Sequence, residues 1–296
     1  MAVAGEQTLV EGYLQAPAAA AMFVLAHRAG YDASALADPA TISALAASAI
    51  GQLTPWNGAE PASEVRARVL RLVGPLRPLV TAVVTDPRNA WWGAPLDRSA
   101  QLLVTELESD PLHISPPVGR NTSWETYAQR PARGLRTSTE LHACVEQELR
   151  SGAHAELACG CGDWSPDFPV HQTRLHVLPA ARVYEVRSAQ DWHALALRYR
   201  ETNDAPPDGN LLSSGGIDHG PAPVWSRVAQ EWDAVHLSFA GLLTALYAPV
   251  TSGALTTTLW SWDYECTHWL RPAFQAVQPL PDLRDRPEAP DLPELP

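Results

Sequence analysis

No lysine occurs in the 296 residues, so each of the 21 basic side chains is an arginine. That absence excludes Schiff-base and lysine-nucleophile chemistry. The cations that remain suit bidentate capture of a carboxylate or phosphate, so a small-molecule ligand is the expected partner. Cysteine is also scarce: Cys144, Cys159, Cys161 and Cys266 are too few for a disulfide scaffold in a chain of this length. Basic residues are outnumbered by 33 acidic ones, for a formal net charge of -12. Such a charge repels phosphate backbones and anionic lipid, so neither nucleic acid nor a membrane is expected as a partner. Long apolar runs are missing too. The run from Ala18 to Ala26 stops at His27 and Arg28, well short of the roughly 20 residues of a membrane span. No basic segment precedes it as in a secretory signal. On these absences, the cytoplasm is the expected location.

Several motifs are lacking as well: the chain has no G-x-S-x-G elbow, Walker loop, H-E-x-x-H helix or Rossmann glycine fingerprint. What is present has an ordinary globular profile, with 46% hydrophobic and 18% charged residues. The first stretch reads as helices over Pro17 to Gly30, Pro39 to Ile50 and Ala62 to Val73, with Gly and Pro at their ends. The β-branched run Leu79 to Val84 predicts the first strand. Further strands are expected at Ser99 to Thr105, Leu175 to Leu178, Arg182 to Arg187, Ala234 to Phe239 and Thr256 to Trp262. Thr122 with Glu125, and Thr137 with Glu140, have capping-box spacing and predict helices over 121–128 and 137–150. Ser188 and Asp191 open another helix, through Tyr199, and one more carries Val224, Val228 and Trp232 on one face. The Gly/Pro-rich stretch 204–223 is long for a connection and reads as a lid or binding loop.

Ten of the eleven tryptophans lie at or after Trp91. The expected organisation is therefore an α+β fold in three parts. A helical N-terminal region covers 1–84, and a mixed or antiparallel sheet domain with flanking helices covers 85–278. A Pro-rich disordered tail covers 279–296.

Three pieces in chain order suggest chemistry: Asp97-Arg98-Ser99, then Arg136-Thr137-Ser138-Thr139, then Trp262-Asp263-Tyr264-Glu265. In that order they resemble the mono-ADP-ribosyltransferase superfamily, with its arginine strand, hydroxyl-rich strand and later Gln/Glu-x-Glu element. The resemblance spans roughly residues 85–275, in the sense of motif order alone. It implies NAD as cofactor or substrate and Glu265 as the carboxylate facing the developing oxocarbenium. Arg98, or its neighbour Arg88, would pair with the pyrophosphate. Ser138 with Thr137 would support the ribose wall, and Trp260 or Trp262 would stack on nicotinamide. Asp263 stands where the family has Gln or Glu.

Bland readings stand beside each piece. Thr137 also fits a helix N-cap, and Arg98 beside Asp97 also fits a surface ion pair. The set His142, Cys144, Cys159 and Cys161 has zinc-ligand chemistry. However, His142 and Cys144 lie two apart on the expected helix and point about 200° away from each other, which argues against zinc. His193, His219, His236 and His268 are candidate acid-base groups. For His236, facing away from Val235 and Leu237, a satisfied buried imidazole is the simpler reading. Trp260 and Trp262 share one face of the expected 256–262 strand and line either core or pocket. Three functions stay open: an NAD-using transferase or glycohydrolase, a non-catalytic binding or accessory protein with an aromatic pocket, and a biosynthetic enzyme for a small aromatic or peptide substrate.

Overall fold

A computed structural model describes residues 2–53, 62–106, 136–139, 168–200, 220–260, 262, 264–271, 273–285 and 291–296. The N-terminal half builds helices α1 (Ala2–Gln15), α2 (Pro17–Arg28), α3 (Pro39–Leu53), α4 (Ala62–Leu72) and α5 (Arg77–Val84). Helices α1 and α2 meet at 88° about Ala16, with Pro17 fixed in the first turn of α2 where its missing N–H costs nothing. Every residue of α2 from Pro17 to Ala26 is buried. The small alanines there let α3, α4 and α1 pack closely around it. Among the described residues, no single helix is long and apolar enough to cross a membrane.

The stretch expected as a first strand, Leu79 to Val84, is instead part of α5. Pro78 starts the helix, and Val80 and Val83, three residues apart, fill its buried face. Packing on one helical face overrides the β preference of the valines. The 3₁₀ turn Pro87–Gly93 follows, and its Trp91 and Trp92 close an aromatic box with Tyr13 and Phe239.

The rest of the chain is α+β, as its sequence predicts. A seven-stranded sheet runs in the order β4-β5-β8-β2-β1-β3-β9. Its strands are β1 (Gln101–Glu106), β2 (Arg136–Thr139), β3 (Val170–Val177), β4 (Val183–Val186), β5 (Ala234–Leu237), β8 (Cys266–Trp269) and β9 (Phe274–Leu283). Among the described strands of this sheet, only β4 and β5 pair in parallel; the other strand pairs are antiparallel. Strands β6 (Val250–Ser252) and β7 (Leu255–Thr257) form a separate hairpin. Helices α6 (Ala189–Arg198), α7 (Trp225–Glu231) and α8 (Phe239–Ala245) complete the described elements. Ser188 caps α6 by accepting from the Asp191 amide, as its sequence predicts.

The expected 256–262 strand ends at Thr257, so Trp260 and Trp262 do not share a strand face; the pairing strand starts only at Cys266. Thr137 lies in β2 rather than at a helix N-cap, because its backbone pairs with Thr267 of β8. The final segment joins the fold more than a disordered tail would. Residues Pro279 to Leu283 belong to β9, and Leu292 and Leu295 pack against the core.

Helix α8 connects the two halves. Ser238 accepts from the Gly241 amide at 3.1 Å and starts the helix. Gly241 then sits so close to β4 that a Cβ there would lie 2.1 Å from the Val186 carbonyl oxygen. One continuous core therefore contains α2 residues together with Val186, Val235, Leu237 and Cys266 of the sheet.

Candidate functional site

Register decides which side chains meet on the sheet. Glu185 of β4 lies opposite His236 of β5, and His236 lies opposite Thr267 of β8. That row faces away from the helices. The neighbouring row, Val186, Leu237 and Cys266, packs into the helical core. The His236 Nδ1 meets Glu185 Oε2 at 2.7 Å, and its Nε2 meets Glu265 Oε1 at 2.9 Å. Glu265 stands one residue before β8, which lets its carboxylate reach back over β5. The Leu96 amide donates to the other oxygen of Glu185 at 3.1 Å. Beyond Thr267 the polar row continues, its hydroxyl donating to Gln101 Oε1 at 3.3 Å.

The side chains of His236 and Glu265 are almost sealed from solvent, at 3% and 7% exposure, whereas Glu185 keeps 21%. Burial by itself would push the His236 pKa down. The hydrogen bonds and negative charges of the two glutamates outweigh it and raise the imidazole to about 9. Burial raises the Glu185 carboxyl, but the His236 bond and charge and the Leu96 amide hold it below its ordinary value. At neutral pH, His236 is thus an imidazolium donating both N–H groups. The Glu185–His236–Glu265 trio holds one positive charge among two carboxylates. A buried ionic trio is costly to desolvate, and such clusters concentrate at functional sites.

The other candidates lie elsewhere. Arg98 spends its guanidinium on the loop after β3, donating to the carbonyls of Leu178 at 2.9 Å, Pro179 at 3.4 Å and Ala181 at 2.8 Å. Arg88 forms an ion pair with Asp86 at 2.7 Å. Ser138 is buried on β2 opposite Leu102, in a different row from Thr137, whose backbone pairs with Thr267. Trp262 stacks on His268, with ring centroids 4.4 Å apart, and meets Trp192 of α6. It therefore lies on the helical side of the sheet, opposite the Glu265 carboxylate. Trp260 is partly buried against the same core. Asp263, the His142, Cys144, Cys159 and Cys161 set, His219, the 121–128 helix and most of the 204–223 loop lie outside the described residues. His193 pairs through Nδ1 with the Thr257 hydroxyl at 2.9 Å.

Of the residues singled out from sequence, Glu265 and His236 are brought together. Glu185 is the residue that sequence reasoning missed. Its signal was a carboxylate at an alternate position between Val183 and Val186, in a strand whose pairing partner only the fold reveals.

No family model, curated protein or solved structure matches the chain.

Proposed function

We propose that this protein is an enzyme whose reaction builds positive charge beside Glu265, with NAD or a related nucleotide as substrate. The supporting observation is the clamp on Glu265: a buried imidazolium orients its carboxylate, and Glu185 behind it leaves the trio with a net negative charge. In NAD cleavage, the bond between the ribose C1′ and the nicotinamide nitrogen breaks and its electron pair leaves with nicotinamide. The oxocarbenium left behind is captured by water or an acceptor hydroxyl, which then releases a proton. Glu265 supplies the facing negative charge in this reading, while His236 and Glu185 act as positioning residues. Calorimetric titration with NAD, joined to an assay of nicotinamide release, tests it. Saturable binding with release that falls sharply in Glu265→Gln supports the proposal. No binding and no release at millimolar NAD would sink it.

A second reading is a non-catalytic binding or accessory protein. It is favoured by the use of Arg98 on backbone carbonyls and of Trp262 within the core. Recovery of one specific partner by both the wild type and Glu265→Gln, without NAD turnover, would select this reading.

A further inference from the structure

Residues 291–296 lie across helices α3 and α4, more than 200 positions away in the chain. Leu292 and Leu295 pack against the main core. Gln52, on the last turn of α3, accepts a hydrogen bond from the Leu295 amide through Oε1. Its Nε2 is turned toward the Ser48 hydroxyl, at 3.4 Å, so Oε1 is the atom presented to the segment. Arg68 of α4 donates through Nε to the Pro296 carbonyl. Side chains from two helices thus hold the backbone of the segment, while its leucines cover apolar surface.

The residues of the segment explain this mode. Asp291-Leu292-Pro293 is followed by Glu294-Leu295-Pro296, an acid-Leu-Pro unit written twice. Proline fixes its own φ and keeps the residue before it extended, so both leucines are held out of helical backbone. The segment forms neither helix nor strand, and its exposure repeats every three residues. Asp291 and Glu294 are exposed, and each Leu-Pro pair between or after them is half-buried. Three residues per turn is the repeat of polyproline II, which puts Leu292 and Leu295 on one face. That conformation makes no internal hydrogen bonds, so its amides and carbonyls are available to Gln52 and Arg68. Such preformed segments lose little entropy on docking, which makes them a recurrent class of peptide ligand.

We propose that this α3–α4 surface is a recognition site for a Leu-Pro repeat segment of a partner protein, and that residues 291–296 occupy it as a built-in competitor. A tethered segment acts at an effective concentration of about a millimolar. An identical segment on a second copy at micromolar concentration does not displace it. A partner with a longer repeat does, because α4 offers one more contact. Leu72 lies one helical turn beyond Arg68 on the same face and is 42% exposed, where a third Leu-Pro pair finds apolar surface. This inference does not depend on the NAD reading, since none of these residues belongs to the trio.

The probe is a labelled peptide of three acid-Leu-Pro repeats, titrated into the full chain and followed by fluorescence anisotropy. It should saturate the wild type and bind about tenfold more tightly to Leu292→Ser/Leu295→Ser, whose own segment no longer competes at about a millimolar. In the wild type, the Leu295 amide resonance should move as the segment is displaced. Leu72→Ser should weaken the three-repeat peptide several-fold and leave a two-repeat peptide unaffected. Equal weakening of both peptides, or of neither, overturns the third contact. Equal affinity of wild type and double variant, or equal binding of a peptide with serine at each leucine, overturns the site. Absence of saturation in the double variant overturns it too and leaves residues 291–296 as a structural strap. Self-association of the wild type that the double variant lacks overturns the partner assignment in favour of a second copy. Should the double variant not fold, Leu295→Ser alone and the wild-type Leu295 resonance decide in the same way.

Discussion

Glu185 and His236 are direct cross-strand neighbours on the parallel pair β4 and β5, and their side chains meet at 2.7 Å. The imidazolium then carries the link onward to Glu265. Removing the histidine strands two carboxylates in a nearly dry row. We expect His236→Ala to destabilise the fold by about 3–5 kcal/mol, the usual cost of breaking a buried ionic contact from one side. Glu185→Gln, which keeps an acceptor for Nδ1–H, should cost less. Urea unfolding of the two variants checks the order.

The same contacts set a pH dependence. The His236 pKa is raised from 6.5 to about 9 in the fold. Its contribution is therefore fully present below about pH 6.5 and is lost as pH rises through about 9. The shift corresponds to roughly 3 kcal/mol. Glu185 acts in the opposite direction, being depressed in the fold, so its contribution is lost as the solution becomes acidic. Melting temperature should fall between pH 7 and pH 10 in the wild type. In His236→Asn that alkaline fall should be largely absent.

Much of the fold could be read in the chain, but the site only in part. The strands at 101–106, 183–186 and 234–237 and the Ser188 cap carry their own local signals, whereas only the end of β3, from Leu175, falls within the expected strand Leu175 to Leu178. The helix over Leu79 to Val84 does not, because its valines favour extended backbone until Val80 and Val83 find a core. Strand β9 was hidden by Pro279 and Pro281, which remove N–H donors and read as tail, yet an edge strand tolerates them. Glu265 was marked by its place beside the tryptophans. Its true partner, His236, lies 29 positions away, and Glu185 a further 51. Only strand order and register make such a trio, and no local spacing encodes them. The tryptophans misled for the same reason: the sheet puts Trp262 and the Glu265 carboxylate on opposite sides.

Gly241 tests how tightly the helical half is joined to the site-bearing strands. A Cβ at this position would meet the Val186 carbonyl oxygen at 2.1 Å, and that atom is backbone in β4, next to Glu185. Gly241→Ala should gain helix propensity yet destabilise by about 1–3 kcal/mol through overpacking. Thermal unfolding checks the sign: a variant more stable than wild type would mean that α8 moves freely over β4.

Trp92 reports on the shared core. Its ring lies 5.8 Å from Tyr13 of α1 and 5.2 Å from Phe239 of α8. Trp92→Ala should cost roughly 3–5 kcal/mol. Because the core runs through both halves, wild type and variant should each unfold in one transition when followed by circular dichroism and by tryptophan fluorescence. Two separated transitions would show that the N-terminal helices fold independently.

The most direct test is the charge state of His236 itself, read from its ring ¹⁵N resonances across pH 5 to 10. Held between Glu185 and Glu265, both nitrogens should stay protonated at neutral pH and titrate near pH 9. Glu265→Gln should lower that midpoint. A neutral tautomer at pH 7, or a midpoint at or below 6.5 that is unmoved by Glu265→Gln, would contradict the imidazolium clamp on Glu265.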